Sequence, residues 1–246
     1  MTMDPLAPLL KLADVESAVS GARAAVDGAY KHRALRRQGG AVAAEISLRC
    51  AVASAALEGH RYELSDVRGG TVLDAVLQGA LRVAEALPGL HRQWHQAPRQ
   101  VLAKLHLLAG TGVLPADTLG RPAPDSAARL DTLLEIVSAE AGNPLIRAAV
   151  VHGELLAAQP FPGVNGIVAR AAARLTLVAS GFDPRGLIAV EVAQLAREPE
   201  YIGAAGAFAT GTPDGLRSWL RHYATAVEQG CAEVAVVGDA VLASVG

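Results

Sequence analysis

Aromatic side chains are scarce in this sequence. They make up 4% of residues although hydrophobic residues make up 51%, so the core must be built from Ala, Val and Leu, which pack closely between helices. Lysine is also scarce, since it occurs only at positions 11, 31 and 104 and nearly every basic residue is arginine. Together with abundant Ala and Gly, this bias indicates a GC-rich bacterial genome more than a biochemical requirement.

Cysteine is almost absent, and long apolar runs are missing. Cys50 and Cys231 lie outside any Cys-x-x-Cys or Cys/His spacing, so the sequence supports neither a zinc site nor a disulfide framework. The N-terminus carries an acidic residue where a signal peptide needs basic ones, and no stretch reaches the ~18 uncharged apolar residues of a membrane span. A reduced, cytoplasmic location without membrane contact is the simplest interpretation.

A strong net charge is absent as well. Lys and Arg number 22 and Asp and Glu number 24, which gives a net charge of −2. No global field therefore attracts nucleic acid or an anionic membrane, and a nucleic-acid partner is not predicted. The basic run "KHRALRR" at 31–37 is short and is typical of a solvated helix end.

Helical periodicity is present along almost the whole chain. Apolar residues recur at three- and four-residue spacing between Pro and Gly residues, which predicts an all-α domain without a sheet. The segment 110–126 is the least helical, because its prolines permit at most a short β-hairpin or an extended loop. The predicted helices span 12–30, 40–58, 71–87, 97–109, 125–140, 144–158, 165–180, 186–197 and 213–229.

Two histidine patterns have structural explanations. His91 and His95 are four residues apart, a spacing that suits a metal site, but no carboxylate or third ligand lies nearby in the sequence. A polar surface segment with a partly buried Trp94 explains them better, so no metal is predicted. His152 lies on a helix of Ala, Val and Leu, where a core histidine bonded to a neighbour is expected.

The most unusual stretch is "AAQPFPGVNGIVARAAARL", residues 157–175, in which a proline-broken loop runs into a helix with two arginines. The unpaired amides of a helix start and the helix dipole make an anion site, and the loop glycines let phosphate approach the backbone. Arg170, one turn into the helix, is placed to reach an outer phosphate. In the alternative interpretation the loop is an ordinary corner in which Asn165 caps the helix and the arginines face solvent.

This stretch resembles the signature of the Fic (Fido) family, in which a helix leads into His-Pro-Phe-x-Asp/Glu-Gly-Asn-Gly-Arg-x-x-Arg. Five positions match that pattern, namely Pro160, Phe161, Asn165, Gly166 and Arg170. The sequence departs from it at four others. Where the family has histidine, an acidic residue, glycine and the first arginine, this chain has Gln159, Gly163, Val164 and Ile167.

A second stretch, "RCAVASAALEGHRYELSDV" at 49–67, resembles the inhibitory helix of many Fic proteins, whose pattern is Ser/Thr-x-x-x-Glu-Gly/Asn. Ser54, Glu58 and Gly59 fit that pattern, although an ordinary helix that ends at a glycine gives the same letters. The resemblance covers roughly residues 40–200 and places 110–126 where Fic proteins carry the flap that clamps the target segment. It implies one Fic-like domain over 1–246, with a helical extension over 1–39 and further helices over 201–246.

The resemblance implies a chemistry that this sequence has lost. Fic enzymes move a nucleotide monophosphate, usually AMP from ATP, onto a hydroxyl group of another protein, with the motif histidine as general base. The amide of Gln159 cannot accept that proton, and general-base help is worth ~10²–10⁴-fold. Gly163 has no side chain to hold Mg²⁺, so Mg²⁺ is not expected, and Ile167 removes a guanidinium that binds phosphate.

We therefore expect a pseudoenzyme that acts as a binding or regulatory protein for an unidentified protein partner. It would retain recognition of ATP or another nucleotide through Asn165, Gly166 and Arg170. One alternative is an active enzyme that transfers another phosphate-containing group, with His152 or His60 as the base. Another is a structural protein with a plugged pocket. The resemblance also makes a homodimer an alternative to a monomer, because many Fic proteins are homodimers.

The resemblance also implies one specific contact. In inhibited Fic proteins the helix glutamate pairs with the last arginine of the motif and fills the space of the ATP γ-phosphate, and the corresponding residues here are Glu58 and Arg170. A buried arginine needs a partner, so a direct contact of ~2.7–2.9 Å is predicted. In the alternative, Glu58 is solvated and Arg170 is bonded to backbone carbonyls.

Overall fold

The computed structural model describes residues 4–139 and 141–244, and within these ranges the chain forms helices and no strand. The prediction of an all-α fold is confirmed. Short 3₁₀ turns occur at Ala7–Lys11, Arg33–Arg36 and Pro124–Ser126. The α-helices are α1 (Val15–Ala29), α2 (Gly39–Ala56), α3 (Leu64–Arg68), α4 (Ala75–Leu90), α5 (Pro98–Gly110), α6 (Ala127–Ser138), α7 (Pro144–Ala158), α8 (Asn165–Ala179), α9 (Val190–Ala196), α10 (Glu198–Ala209), α11 (Pro213–Gly230) and α12 (Ala232–Ser244).

The centre of the fold is the helical hairpin of α7 and α8, joined by the loop 159–164, which we call the motif loop. α7 begins where the Asn143 side chain accepts hydrogen bonds from the amides of Leu145 and Ile146, with a proline at the first helical position. Both helices are buried on all sides through their middle turns, as an apolar helix at the centre of a bundle must be.

Two hydrophobic clusters pack against this hairpin. One contains Trp219 and Tyr223 and joins it to α1, α2 and the helices from α9 onward, and the other joins it to α4, α5 and α6. Trp94 belongs to the second cluster and is fully buried, because its indole Nε1 donates a hydrogen bond to Thr176 Oγ1 at 3.0 Å in the interior. The prediction that Trp94 is only partly buried is therefore wrong.

The helix bounds differ from the predicted ones mainly in the C-terminal quarter. The resemblance implies further helices over 201–246 but gives no bounds for α10 or α12; in α10 the glycines at 203 and 206 interrupt the apolar pattern. The segment 110–126 consists of turns and a 3₁₀ turn and contains no strand. No helix in the described ranges has the length and apolar character needed to cross a membrane.

Candidate functional site

The motif loop leaves α7 through an unusual backbone conformation. Gln159 has a φ of 44°, in the left-handed region, which turns the chain sharply at the end of α7, and the residue is exposed. Phe161, two residues later, is 1% exposed and anchors the loop in the second hydrophobic cluster. The glutamine that stands at the family's histidine position therefore faces outward from a loop that is held by its aromatic residue.

Asn165 closes the motif loop. Its Nδ2 donates a hydrogen bond to the carbonyl of Leu155 at 2.8 Å, and its Oδ1 accepts one from the amide of Phe161 at 3.3 Å. The residue at the cap position of α8 is Val164, which makes no side-chain cap bond. The alternative in which Asn165 caps α8 is therefore wrong, and its amide group is used to fold the loop.

Arg170 is 3% exposed and meets the end of α2. Its Nη2 donates to Glu58 Oε1 at 2.6 Å and to the carbonyl oxygen of Ser54 at 3.0 Å, and its Nε donates to Ser54 Oγ at 2.8 Å. Gly59 has a φ of +91°, a conformation that suits glycine, and turns the chain away directly after Glu58. The structure thus brings Ser54, Glu58 and Arg170 together from positions more than a hundred residues apart.

The Glu58 carboxylate lies against the first turn of α8. A Cβ atom built on Gly166 would be 2.1 Å from Glu58 Oε1, so any larger residue there would displace the carboxylate from its present position. The N-terminal end of a helix carries partial positive charge and unpaired amides, which favour an anion. Glu58 thus lies where the sequence pattern predicts a phosphate group.

A buried polar chain continues from Arg170 into the core. Arg170 Nη1 donates to the Tyr201 hydroxyl at 3.4 Å, and that hydroxyl lies 3.0 Å from His152 Nε2. Burial, with a smaller effect of the Arg170 charge, lowers the pKa of His152 well below its ordinary value. Because the Tyr201 hydroxyl accepts from Arg170, its own O–H is left to donate a hydrogen bond to His152 Nε2. Burial opposes charge on Arg170 as well, but Tyr201 and Glu58 keep the pKa of Arg170 above its ordinary value.

These contacts decide between the two interpretations of His152. The residue is 1% exposed and bonded to a neighbour, as a core histidine should be, so that prediction is confirmed. Its use as a substitute general base is excluded by its burial, because no substrate hydroxyl can reach the ring. Tyr201 was not identified from the sequence, because its role depends on contacts with His152 and Arg170 on other helices.

His106 is a second residue that the sequence did not single out. Its Nδ1 accepts from the amide of Gly120 at 3.0 Å, and its Nε2 therefore carries the proton and donates to the carbonyl of Pro162 at 3.2 Å. The Ala123 amide also donates to the carbonyl of Pro160 at 2.9 Å. Both contacts fasten the segment 110–126 to the motif loop, and only the tertiary structure reveals them.

The three smaller departures from the family pattern are built into the packing. Val164 is fully buried and Ile167 is 2% exposed, and both belong to the second hydrophobic cluster. Gly163 has a φ of +80°, and a Cβ atom there would lie 2.5 Å from Leu114 Cδ2. The segment 110–126 therefore occupies the space next to Gly163 where the family's acidic side chain would project.

Little open space remains beneath the motif. The cavity lined by Arg170 and His152 has a volume of about 10 Å³, and the one lined by Ser54 and Ile167 has about 20 Å³. Among the residues that the structure describes, no group of three or more His, Cys, Asp or Glu side chains is arranged to hold a metal ion.

His60 lies just beyond the inhibitory-type stretch. Its Nδ1 is 2.9 Å from Asp74 Oδ2, and its side chain is 38% exposed. Asp74 also caps α4 by accepting from the Leu77 amide at 2.8 Å. Burial opposes ionisation of Asp74, but the hydrogen bonds from Leu77 and His60 hold the pKa of this carboxyl below its ordinary value. This histidine is oriented by a carboxylate and accessible to solvent.

No family model matches the sequence, and no curated protein matches it either. Solved structures do resemble it. A Fic family protein from Desulfovibrio desulfuricans G20 superposes with a TM-score of 0.73 at 18% identity, over 96% of this chain and 76% of that chain. Fic-1 from C. elegans superposes with a TM-score of 0.72 at 20% identity, over 97% of this chain and 76% of that chain. The chain therefore has the fold of the Fic proteins.

Proposed function

We propose that this chain is a Fic-fold pseudoenzyme, a binding or regulatory protein whose anion site is closed by its own glutamate. The observation that carries the proposal is the contact of Glu58 with both Arg170, at 2.6 Å, and the glycine backbone at the start of α8. A nucleotide phosphate and the Glu58 carboxylate compete for the same place, because both are anions that need the same donors.

The loss of catalysis follows from three positions. Gln159 has an amide where a general base is needed, Gly163 has no side chain to bind a metal ion, and Ile167 is packed in the core. A nucleotide admitted to this site would be bound without being transferred. The remaining function is recognition, so the nucleotide acts as a signal to a protein partner.

The exchange between the two states requires only that Glu58, in the turn after α2, moves away from α8 while the last turn of α2 stays in place. Arg170 would keep its bonds to Ser54 and Tyr201 when Glu58 leaves, so the guanidinium stays in position for a phosphate. Glu58 is one-quarter exposed, and it lies two residues beyond the end of α2. In the closed state Glu58 occupies the anion site, and in the open state it has left that site. A nucleotide shifts this equilibrium only as far as it binds the open state more tightly than the closed one.

Transfer and binding can be separated experimentally. Incubation of the purified chain and of Glu58→Gly with labelled ATP, Mg²⁺ and a cell lysate, followed by mass spectrometry, should give no modified protein. The same samples titrated with a panel of nucleotides should show binding to Glu58→Gly. Transfer of AMP by either protein would contradict the proposal.

The His60–Asp74 pair favours a second function, transfer of another phosphate-containing group with His60 as the base. Carboxylate-oriented imidazoles commonly serve in this role. In that case mass spectrometry would find a modified protein that disappears with His60→Ala. His91→Ala is the control, because His91 lies at the other end of α4.

A further inference from the structure

A groove of about 670 Å³ opens at the opposite end of the helix bundle from the motif loop. It touches α8 only through Arg174, Leu175 and Val178, and Val178 is about 18 Å along the helix from Gly166. The site proposed above and this groove are therefore separate. We call it the α2–α4 groove, after the two helices that form its long walls.

Small residues on α2 create the groove. Gly39, Gly40, Ala43 and Ala44 line one wall, where larger side chains would fill the space. The facing walls carry apolar side chains from α4 and α8, including Leu81, Leu87, Leu175 and Val178. A concave, mostly apolar space of this volume with a few polar groups at its edge is typical of a small-molecule site.

The charges at the edge are unequal. Arg174 is neutralised, since it donates to Glu191 at 3.1 Å and to the carbonyl of Gly186. Arg185 is exposed, and its only side-chain hydrogen bond within the described ranges is a long one, 3.5 Å, to the carbonyl of Leu35. It forms no salt bridge within those ranges. Among the residues that the structure describes, Arg185 is therefore a cation without an ion-pair partner at the edge of an apolar groove.

Arg185 also lies beside the positive end of a helix, which adds to the excess of positive charge at this edge of the groove. Its guanidinium packs on Gly39, where a Cβ atom would lie 1.6 Å from Arg185 Nη2. Gly39 is the first residue of α2, and no side chain caps this helix. A cation beside the positive end of a helix is electrostatically unfavourable unless an anion lies close to both.

We propose that the α2–α4 groove binds a single-chain amphiphile, with its apolar chain along α2 and its anionic head group at Arg185. Charge complementarity selects this occupant, because an uncharged chain leaves Arg185 without an anion. Glu85 also lines the groove, on α4, and forms no salt bridge within the described ranges. A cationic amphiphile bound at Glu85 is the competing occupant. The anionic one is favoured because its head group would meet both Arg185 and the uncapped start of α2.

Calorimetric titration with dodecanoate, dodecyl phosphate and dodecanol, all below their micelle concentrations, tests the proposal. We expect saturable one-to-one binding of the two anions, with the tighter one identifying the head group. Dodecanol should bind more weakly, on the order of tenfold, because it lacks the charge. Arg185→Met should weaken anion binding by a similar factor, and Glu85→Gln should leave it unchanged or tighter.

A pair of matched variants tests the location. Ala44→Phe fills the groove from an exposed position and should abolish binding, whereas Ala41→Phe is exposed on α2 in a different groove and should not. Thermal unfolding of each variant establishes that it is folded.

The proposal is overturned if dodecanol binds as tightly as dodecanoate, if Ala44→Phe binds normally, or if no probe binds. Oligomerisation that Ala44→Phe abolishes, without probe binding, would instead assign the groove to a second copy of the chain.

Discussion

At the scale of single residues, Arg170 determines the character of the site. It is a buried cation that donates four hydrogen bonds to three residues. Ser54 lies on α2, Tyr201 lies on α10 and Glu58 lies in the turn after α2. Only one of these acceptors, Glu58, carries a full negative charge. The guanidinium therefore holds α2, α8 and α10 together whether or not a nucleotide ever binds.

Replacing Glu58 with alanine should destabilise the chain. Removing one partner of a buried ion pair costs about 3–5 kcal/mol, and we expect about 2–3 kcal/mol here because Ser54 and Tyr201 remain and Glu58 is partly exposed. Urea unfolding measures the difference. Glu63→Ala is the control, since Glu63 is exposed and makes no cap bond. Equal stability of the two variants would show that Ser54 and Tyr201 satisfy Arg170 without the glutamate.

Placing the first arginine of the Fic pattern at position 167 should unfold or strongly destabilise the chain. Ile167 is 2% exposed among apolar side chains, and an unpaired charge there costs at least about 3 kcal/mol. Ile167→Met keeps the volume and polarity and should cost less than about 1.5 kcal/mol. The measurement is again urea unfolding. A folded Ile167→Arg variant with wild-type stability would place this side chain outside the core.

At the scale of elements, the motif loop and the segment 110–126 are packed as one unit. His106 bridges Gly120 and Pro162, and Leu114 covers Gly163. The resemblance to Fic proteins predicts a flap at this segment, and in this structure the segment is fastened to the chain's own loop. An acidic side chain at position 163 would therefore require Leu114 to move.

Gly163→Asp should therefore destabilise the chain by about 1–3 kcal/mol. Its Cβ atom would overlap Leu114 at 2.5 Å, and the positive φ of +80° is unfavourable for aspartate as well. The double variant Gly163→Asp, Leu114→Ala should cost less than the sum of the two single variants, because the alanine removes the overlap. Thermal unfolding of all four proteins measures this coupling. If the losses in unfolding free energy of the two single variants simply add in the double variant, residue 163 does not contact Leu114.

The sequence predicted these elements unequally. The bounds of α7 were predicted correctly, because Asn-Pro and Gln-Pro mark both ends of an apolar run. Glu58 and Arg170 could be paired only through the family pattern. Tyr201 and His106 could not be found, since each acts through contacts between helices that are far apart in the sequence. Local patterns specify helices, whereas buried polar contacts depend on how the helices are arranged.

At the scale of the whole molecule, two buried histidines and one half-buried histidine make stability depend on pH. Burial is the main cause that lowers the pKa of His106, His152 and His222 in the folded chain below the ordinary value of 6.5. Below about pH 6.5 the unfolded chain binds protons that the folded chain does not. The stabilisation is therefore complete above this pH and is lost as the pH falls below it, by up to about 1.4 kcal/mol per pH unit for each histidine.

Urea unfolding between about pH 7.5 and about pH 5 measures this dependence. His222→Gln should reduce the slope by up to about 1.4 kcal/mol per pH unit, because one titrating group is removed. A free energy of unfolding that rises as the pH falls through this range would contradict burial of neutral histidines.

The central claim is that Glu58 occupies the anion site at the start of α8. Calorimetric titration of ATP into the wild-type chain and into Glu58→Gly tests it most directly, with Glu63→Gly as the control. The account predicts saturable binding to Glu58→Gly, and no measurable binding to the wild type or the control. It would be contradicted if the wild-type chain bound ATP as tightly as Glu58→Gly does.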